Sequence, residues 1–259
     1  MLAIAANISV LFKELPVLER FDAARNAGFD GVELQFPYDE AAEVLAAAAN
    51  AANVPVLLIN APIMPGVYPF GMAGRPEMRD AFRAQLPRIR DYARALGVRF
   101  VHVLAGTVGE SEERRRCLDT YVDNLMFAVT ALGQSGVQIL IEALNSGDAP
   151  DYLIGTPDDA AHVIDRCSGA IGLLFDAYHV ARMGLDPAAT FRQLLPVVRH
   201  IQVADSPGRH EPGSGGVDFD ALLDSLAGSS YRGWLAAEYF PLGDTVSGLG
   251  WLREWRNRV

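Results

Sequence analysis

Lysine is nearly absent from this chain: of 22 basic residues only Lys13 is a lysine. Schiff-base chemistry therefore has a single candidate, and a P-loop, whose lysine must reach a phosphate from a glycine-rich turn, has none. Positive charge is also outweighed by 32 acidic residues, for a formal net charge of −10. That balance argues against nucleic acid as a partner, because backbone phosphates must be neutralised by clustered Lys and Arg. Cysteine is scarce too. Cys117 and Cys167 stand 50 residues apart, outside any CxxC pair and away from histidine, which reads as buried thiols in a reducing cytoplasm, where disulfides are rare. No apolar run reaches the roughly 18 residues of a membrane span. The opening MLAIAANISV has no basic flank and soon meets Asn7 and Ser9, so it reads as a strand and not as a signal peptide.

A chain of 259 residues with 50% hydrophobic content can bury one large core, and parallel barrels of about 250 residues commonly form a single domain. Residues 1–259 are therefore expected to be one unit. The first strand, Leu2 to Ser9, is followed by a helical pattern with Val17, Leu18, Phe21 and Ala24 on one face, stopped by Gly28. Strand two spans Gly31 to Phe36, an alanine-rich helix Glu40 to Ala52, and strand three Val54 to Asn60. Residues 61–76 then crowd four prolines and three glycines together, a length and position that suit a lid or a substrate-binding loop. The helix Glu77 to Leu96, strand four over RFVHVLAG, and the helix Glu110 to Leu132 lead to the strand QILIEALN, Gln138 to Asn145. Thr156, Pro157 and Asp158 make an N-cap, a proline at the first helical position and an acidic first turn for a helix reaching Cys167. Strand six, Ile171 to Tyr178, the helix Pro187 to Leu195, strand seven, Arg199 to Ala204, the helix Asp218 to Ala227 and strand eight, Gly233 to Tyr239, complete the set. Eight strands alternating with helices most simply close into an α/β (β/α)8 TIM barrel. An open doubly wound sheet is the runner-up, but GxGxxG is missing after strand one.

Strand five is the organising stretch. Ile139, Leu140 and Ile141 suit a strand covered on both faces, and Glu142 is then the odd residue. Three later strands repeat the pattern with Asp176, Gln202 and Glu238 near their carboxyl ends. In a barrel those ends surround the active site, and four oxygen donors converging there suit a hard divalent cation, Mg²⁺ or Mn²⁺, better than zinc. One acidic residue at a strand end is more often a solvated or helix-capping group; four on consecutive strands favour a metal site. His102, His179 and His210 can each face the pocket, the first two being the better candidates for substrate binding. His200 begins its strand and is expected at the opposite, structural end, and His162, mid-helix, at the surface or in packing. Glu33 and Gln35 share one face of strand two, as a hydrogen-bonded layer or part of the pocket floor.

Nearly the whole chain resembles the hydroxypyruvate isomerases of the xylose-isomerase-like barrel superfamily. The resemblance rests on AANISVLFKELPVLERFDAARNAGFDGVELQFPY, VHVLAG, ILIEALN, FDAYH, HIQVAD with PGRHEPGSG, and EY followed by GLGW. It implies a divalent metal held by Glu142, Asp176, Gln202 and Glu238, with Glu142 and Glu238 as acid and base. It also implies interconversion of hydroxypyruvate and 2-hydroxy-3-oxopropanoate (tartronate semialdehyde), or a close 2-oxo acid, through a metal-stabilised enediolate in a cytoplasmic enzyme of carbohydrate metabolism. The ketose 3-epimerases are similar in the same residues except at Gln202, where they carry a histidine. That makes epimerisation or isomerisation of a neutral sugar the alternative. Where the isomerase family reads EYKP, this chain reads EYFP, with Phe240 in place of the lysine. Arg209 is the cation left near the site for a substrate carboxylate. Apurinic endonucleases share this barrel but need a histidine-rich zinc site and a basic face, and neither is legible here. The expected partner is a small hydroxy-oxo acid or sugar, with no membrane. Apolar Leu249, Trp251, Leu252 and Trp255 can close the barrel or join subunits of a homo-oligomer.

Overall fold

The computed structural model describes residues 3–108, 111–256 and 258. Leu2 and Glu110, expected to open the first strand and the fourth helix, lie outside the described residues. Eight parallel strands form a closed barrel in sequence order: β1 (Ala3–Asn7), β2 (Gly31–Leu34), β3 (Val56–Asn60), β4 (Phe100–His102), β5 (Gln138–Glu142), β6 (Gly172–Asp176), β7 (Val198–Val203) and β8 (Trp234–Ala237). β1 closes the ring on β8, with Ala5 opposite Ala236. Between the strands run α1 (Arg20–Asn26), α2 (Ala42–Ala51), α3 (Arg79–Leu96), α4 (Ser111–Leu132), α5 (Pro157–Arg166), α6 (Ala177–Arg182), α7 (Pro187–Leu194) and α8 (Phe219–Ala227), and α9 (Gly250–Arg256) follows β8. No described helix is long and apolar enough to cross a membrane.

Two apolar cores result. The larger lies between the sheet and the helices. The smaller fills the barrel, with Ala5, Leu58, Phe100, Leu140, Leu174 and Ala236 in contact and Trp234 packed against them. Side chains alternate faces along a strand, so each of these barrel residues fixes the direction of the residue two places on: Asn7, Asn60, His102, Glu142, Asp176 and Glu238. The apolar plug thus places a ring of polar side chains at the carboxyl end. This is the physical reason that the polar residue ending each apolar run lies at the carboxyl rim.

Helix signals carried by side chains behave as the sequence predicts. Thr156 accepts from the Asp159 N–H at 3.1 Å while Asp159 accepts from the Thr156 N–H at 3.1 Å, a complete capping box. Some strands end earlier than expected where their last residues bond to loops. Gly106 N donates to Phe70 O, and Ala105 N to the Tyr152 hydroxyl, so β4 stops at His102 instead of running through VHVLAG. β6 also stops early, at Asp176, whose Oδ1 accepts from the Tyr178 N–H at 2.8 Å and so starts α6, a helix missing from the sequence reading. The 61–76 loop is a fixed wall over its second half. Gly71 has φ +95° and its missing Cβ would sit 2.4 Å from Leu104 O, while Gly74 N donates to Ala105 O. The C-terminal aromatics pack on the barrel's own outer core: Trp251 on Phe29 and Tyr239, and Trp255 on Phe219.

Candidate active site

Consecutive strands β5, β6, β7 and β8 bring Glu142, Asp176, Gln202 and Glu238 to one cleft or its floor, all buried. The cleft is about 180 Å³, and its lining includes Gln35, His102, Glu142, His179, Gln202, Arg209 and Glu238, with Phe36, Pro69 and Phe70 at its apolar wall. Asp176 lies under it, with Oδ2 3.7 Å from His179 Nε2 and 3.6 Å from Arg209 Nη2.

Beneath the cleft the sequence reading needs correcting at His200. It is fully buried inside the barrel, with Nε2 bonded to Glu33 Oε1, and not at the structural end. β7 begins at Val198, so His200 lies inside the strand, two residues before Gln202 and on the same inward face. Glu33 is the hub of that layer: its Oε2 accepts from Gln202 Nε2 at 2.7 Å and from Asn7 Nδ2 at 3.2 Å. Asn7 also donates to Glu238 Oε2 at 2.8 Å. Asn7 was legible only as a polar residue closing an apolar strand, the same signal that marked Glu142. Gln35, on the same face as Glu33, donates to Glu238 Oε1 at 3.1 Å. His210 does not line the cleft; its Nδ1 bonds to Phe240 O at 2.7 Å. His162 is exposed, as expected.

A buried polar atom without a partner is costly, so such atoms mark places where a guest belongs. Glu142 Oε1, Asp176 Oδ2 and Gln202 Oε1 are buried and unpartnered. Gln202 spends its NH₂ on Glu33, which turns its carbonyl oxygen toward the cleft. Three orphaned oxygens on β5, β6 and β7 fit a hard divalent cation. Glu238 differs, since Gln35, Asn7 and Arg209 already donate to it. Arg209 Nη2 lies 2.6 Å from Glu238 Oε1, and its guanidinium carbon is 5.0 Å from the Tyr178 ring centre and 5.9 Å from that of Phe240. Its Nε has no partner.

Burial dominates the electrostatics here. It pushes Glu238 up to about 8, against the pull of Arg209, and Asp176 up to about 6. It also raises Glu142 well above the carboxylate range, helped by the charges of Asp176 and Glu238. Burial pushes His102 down to about 3 and His179 well below its ordinary value, so both rings are neutral at pH 7. Arg209 would be lowered by burial, but Glu238, Asp176 and Glu142 outweigh this and keep it charged.

A carboxyl raised in the folded state binds its proton more tightly than in the unfolded chain. Its contribution to stability is therefore complete below about pH 4.5 and is lost as pH rises through about 8 for Glu238. Denaturant titrations in chelator are expected to show stability falling by a few kcal/mol between pH 5 and 8. Saturating Mg²⁺ is expected to flatten that slope, because a cation displaces the protons. Stability rising with pH in chelator would contradict it.

The model of the xylose isomerase-like TIM barrel family matches residues 21–255. The 2-oxo-tetronate isomerase of Cupriavidus necator is 36% identical over 258 residues, covering 98% of each chain. The hydroxypyruvate isomerase of Escherichia coli is 33% identical over 260 residues, covering 99% of this chain and all of that one. A crystal structure described as an AP endonuclease of family 2 from Brucella melitensis superposes with a TM-score of 0.92 at 35% identity, covering 98% of this chain and 99% of that one. Fold, family model and relatives agree, and the chain belongs to the xylose isomerase-like TIM barrel family.

Proposed function

We propose that this isomerase interconverts hydroxypyruvate and 2-hydroxy-3-oxopropanoate, or the four-carbon 2-oxo acid of the same pattern, by moving a proton between adjacent carbons. The observation that carries the reading is the set of unpartnered buried atoms around one cleft: oxygens of Glu142, Asp176 and Gln202, with His102 Nε2 and the Nε of Arg209 beside them. The oxygens suit a cation and the Nε suits an anion. Glu142, Asp176, Gln202 and Glu238 would hold Mg²⁺ or Mn²⁺, which when bound supplies Lewis acidity for the negative charge developing on the substrate's adjacent oxygens.

The chain's own residues divide the remaining work. Glu142 and Glu238 stand three strands apart round the barrel, far enough to address two carbons of one substrate. One glutamate takes the proton from the hydroxymethyl carbon, giving an enediolate. The other delivers a proton to the former carbonyl carbon, while the hydroxyl proton passes between the two oxygens. Raised carboxyl pKa values help the acid hold its proton near neutrality. Neutral His102 and His179 offer polarity at the cleft without adding charge, and Phe36, Pro69 and Phe70 keep bulk water from one wall.

Arg209 is the only arginine or lysine among the described residues lining the cleft, and its free Nε can meet a substrate carboxylate. Arg209→Ala is expected to raise KM for a three- or four-carbon acid about ten- to a hundredfold, the scale of a charged hydrogen bond worth roughly 1.5 to 3 kcal/mol. Phe240→Lys should restore part of the loss, because Phe240 packs beside the guanidinium. A panel of hydroxypyruvate, 2-oxotetronate and free ketoses, run on wild type and Arg209→Ala, is the direct test. The half-exposed Phe240 in place of a lysine favours one competitor, a neutral-sugar epimerase. Preference for ketoses, with Arg209→Ala affecting acids and sugars alike, would establish that competitor instead.

A further inference from the structure

Glu142, Asp176 and His179 have potential ligand atoms within 4.8 Å of one another, so geometry alone would let the imidazole compete for a cation. The hydrogen bonds behind the ring speak against it. His179 Nδ1 faces two donors of Asn145: the backbone N–H at 3.3 Å and the side-chain Nδ2 at 2.7 Å. The amide of Asn145 is held the right way round by its other bonds. Its Oδ1 accepts from the N–H groups of Gly147 and Asp148, each at 3.0 Å, and its Nδ2 also donates to Asp148 Oδ2 at 3.0 Å. Flipping it would set the NH₂ against two donors. Both residues are buried, with 2% of their surface exposed, so water does not offer an alternative partner.

A ring nitrogen facing two donors must be an acceptor, and the proton of the neutral ring then sits on Nε2. That nitrogen lies 3.7 Å from Glu142 Oε1 and from Asp176 Oδ2, beyond hydrogen-bonding distance of either. Its N–H is therefore unspent at the edge of the cleft. We infer that Asn145 is a positioning residue that fixes His179 as a neutral Nε2–H donor, so that the ring offers a proton to a substrate oxygen and no lone pair to a cation. The identity of that oxygen rests on the isomerase reading; the tautomer and the cation's donor set do not. For Nε2 to bind a cation its proton would have to move to Nδ1, at the cost of both bonds to Asn145.

The test is ¹⁵N NMR of histidine-labelled protein, cation-free and then saturated with diamagnetic Mg²⁺, beside calorimetric Mg²⁺ titrations. The His179 signals are expected to show Nε2–H in both states, and His179→Ala to change the Mg²⁺ Kd by less than about threefold. Asn145→Asp keeps the acceptor for Gly147 and Asp148 but puts a carboxylate beside Nδ1. It is expected to move the proton to Nδ1 and to lower kcat about ten- to a hundredfold, the scale of losing an outer hydrogen bond that orients an imidazole. A role confined to loop structure would not move the ring proton. Nδ1–H in the wild type, loss of the Nε2 proton on adding Mg²⁺, or a tenfold weaker Mg²⁺ Kd in His179→Ala would overturn the inference. Nε2–H in both states together with no turnover of any hydroxy-oxo acid would leave the tautomer standing and remove the isomerase reading.

Discussion

Glu142→Gln is expected to fold as the wild type does and to lose turnover by about 10²- to 10⁴-fold, the range that a positioned proton-transfer group contributes. The amide keeps the shape of the carboxyl but cannot serve as a base, and it is a poorer cation donor. Folding should be spared because Glu142 does little for it. Its Oε1 is unpartnered and its Oε2 comes no nearer to His102 Nε2 than 3.7 Å. Burial raises Glu142 well above the carboxylate range, so exchanging it for an amide of the same shape strands no charge in the cation-free protein. The checks are kcat with hydroxypyruvate and the thermal midpoint of both proteins. Wild-type turnover in the variant would remove Glu142 from the chemistry.

Exhaustive chelation is the other change with a large expected effect. It should abolish activity, and Mg²⁺ or Mn²⁺ should restore it better than Zn²⁺. The free donors are oxygens of Glu142, Asp176 and Gln202, beside one unpartnered imidazole nitrogen of the cleft lining, His102 Nε2, and an oxygen-dominated set of this kind is one that hard cations favour over zinc. The tautomer of His179 sharpens this expectation, since it withholds a nitrogen that lies 3.7 Å from both Glu142 and Asp176. Atomic absorption on the chelated protein, followed by activity on re-addition of each ion, is the measurement. Full activity in rigorously metal-free protein, or zinc restoring it best, would contradict the donor assignment.

The barrel could be read from the sequence because each strand carries both of its instructions locally. Apolar runs such as Ile139 to Ile141 call for cover on both faces, and the polar residue that ends the run marks the carboxyl rim. What could not be read depends on contacts between distant segments. The early end of β4 is set by Phe70 and Tyr152, residues far along the chain from Val103 to Gly106. The layer joining Glu33, His200, Gln202 and Asn7 needs the barrel's register, which displaced His200 by enough to change its assignment. Asp176 carried two signals at once. Its Oδ1 caps α6, the plain reading of an acid at a strand end, and its Oδ2 is left free, the functional one. Asn145 sat unremarked within the ILIEALN motif because an amide's role lies in its partners, and His179 is 34 residues away.

Proton transfer between C2 and C3 of a short 2-oxo acid is most directly followed by NMR in D₂O, with Mg²⁺-loaded protein and hydroxypyruvate. Deuterium is expected to appear at C2 of the 2-hydroxy-3-oxopropanoate formed and at C3 of recovered hydroxypyruvate, and Glu142→Gln and Glu238→Gln should each suppress the exchange. Hydroxypyruvate that keeps its C3 protons, while a ketose offered to the same protein exchanges at C3 and changes configuration there, would contradict the assignment.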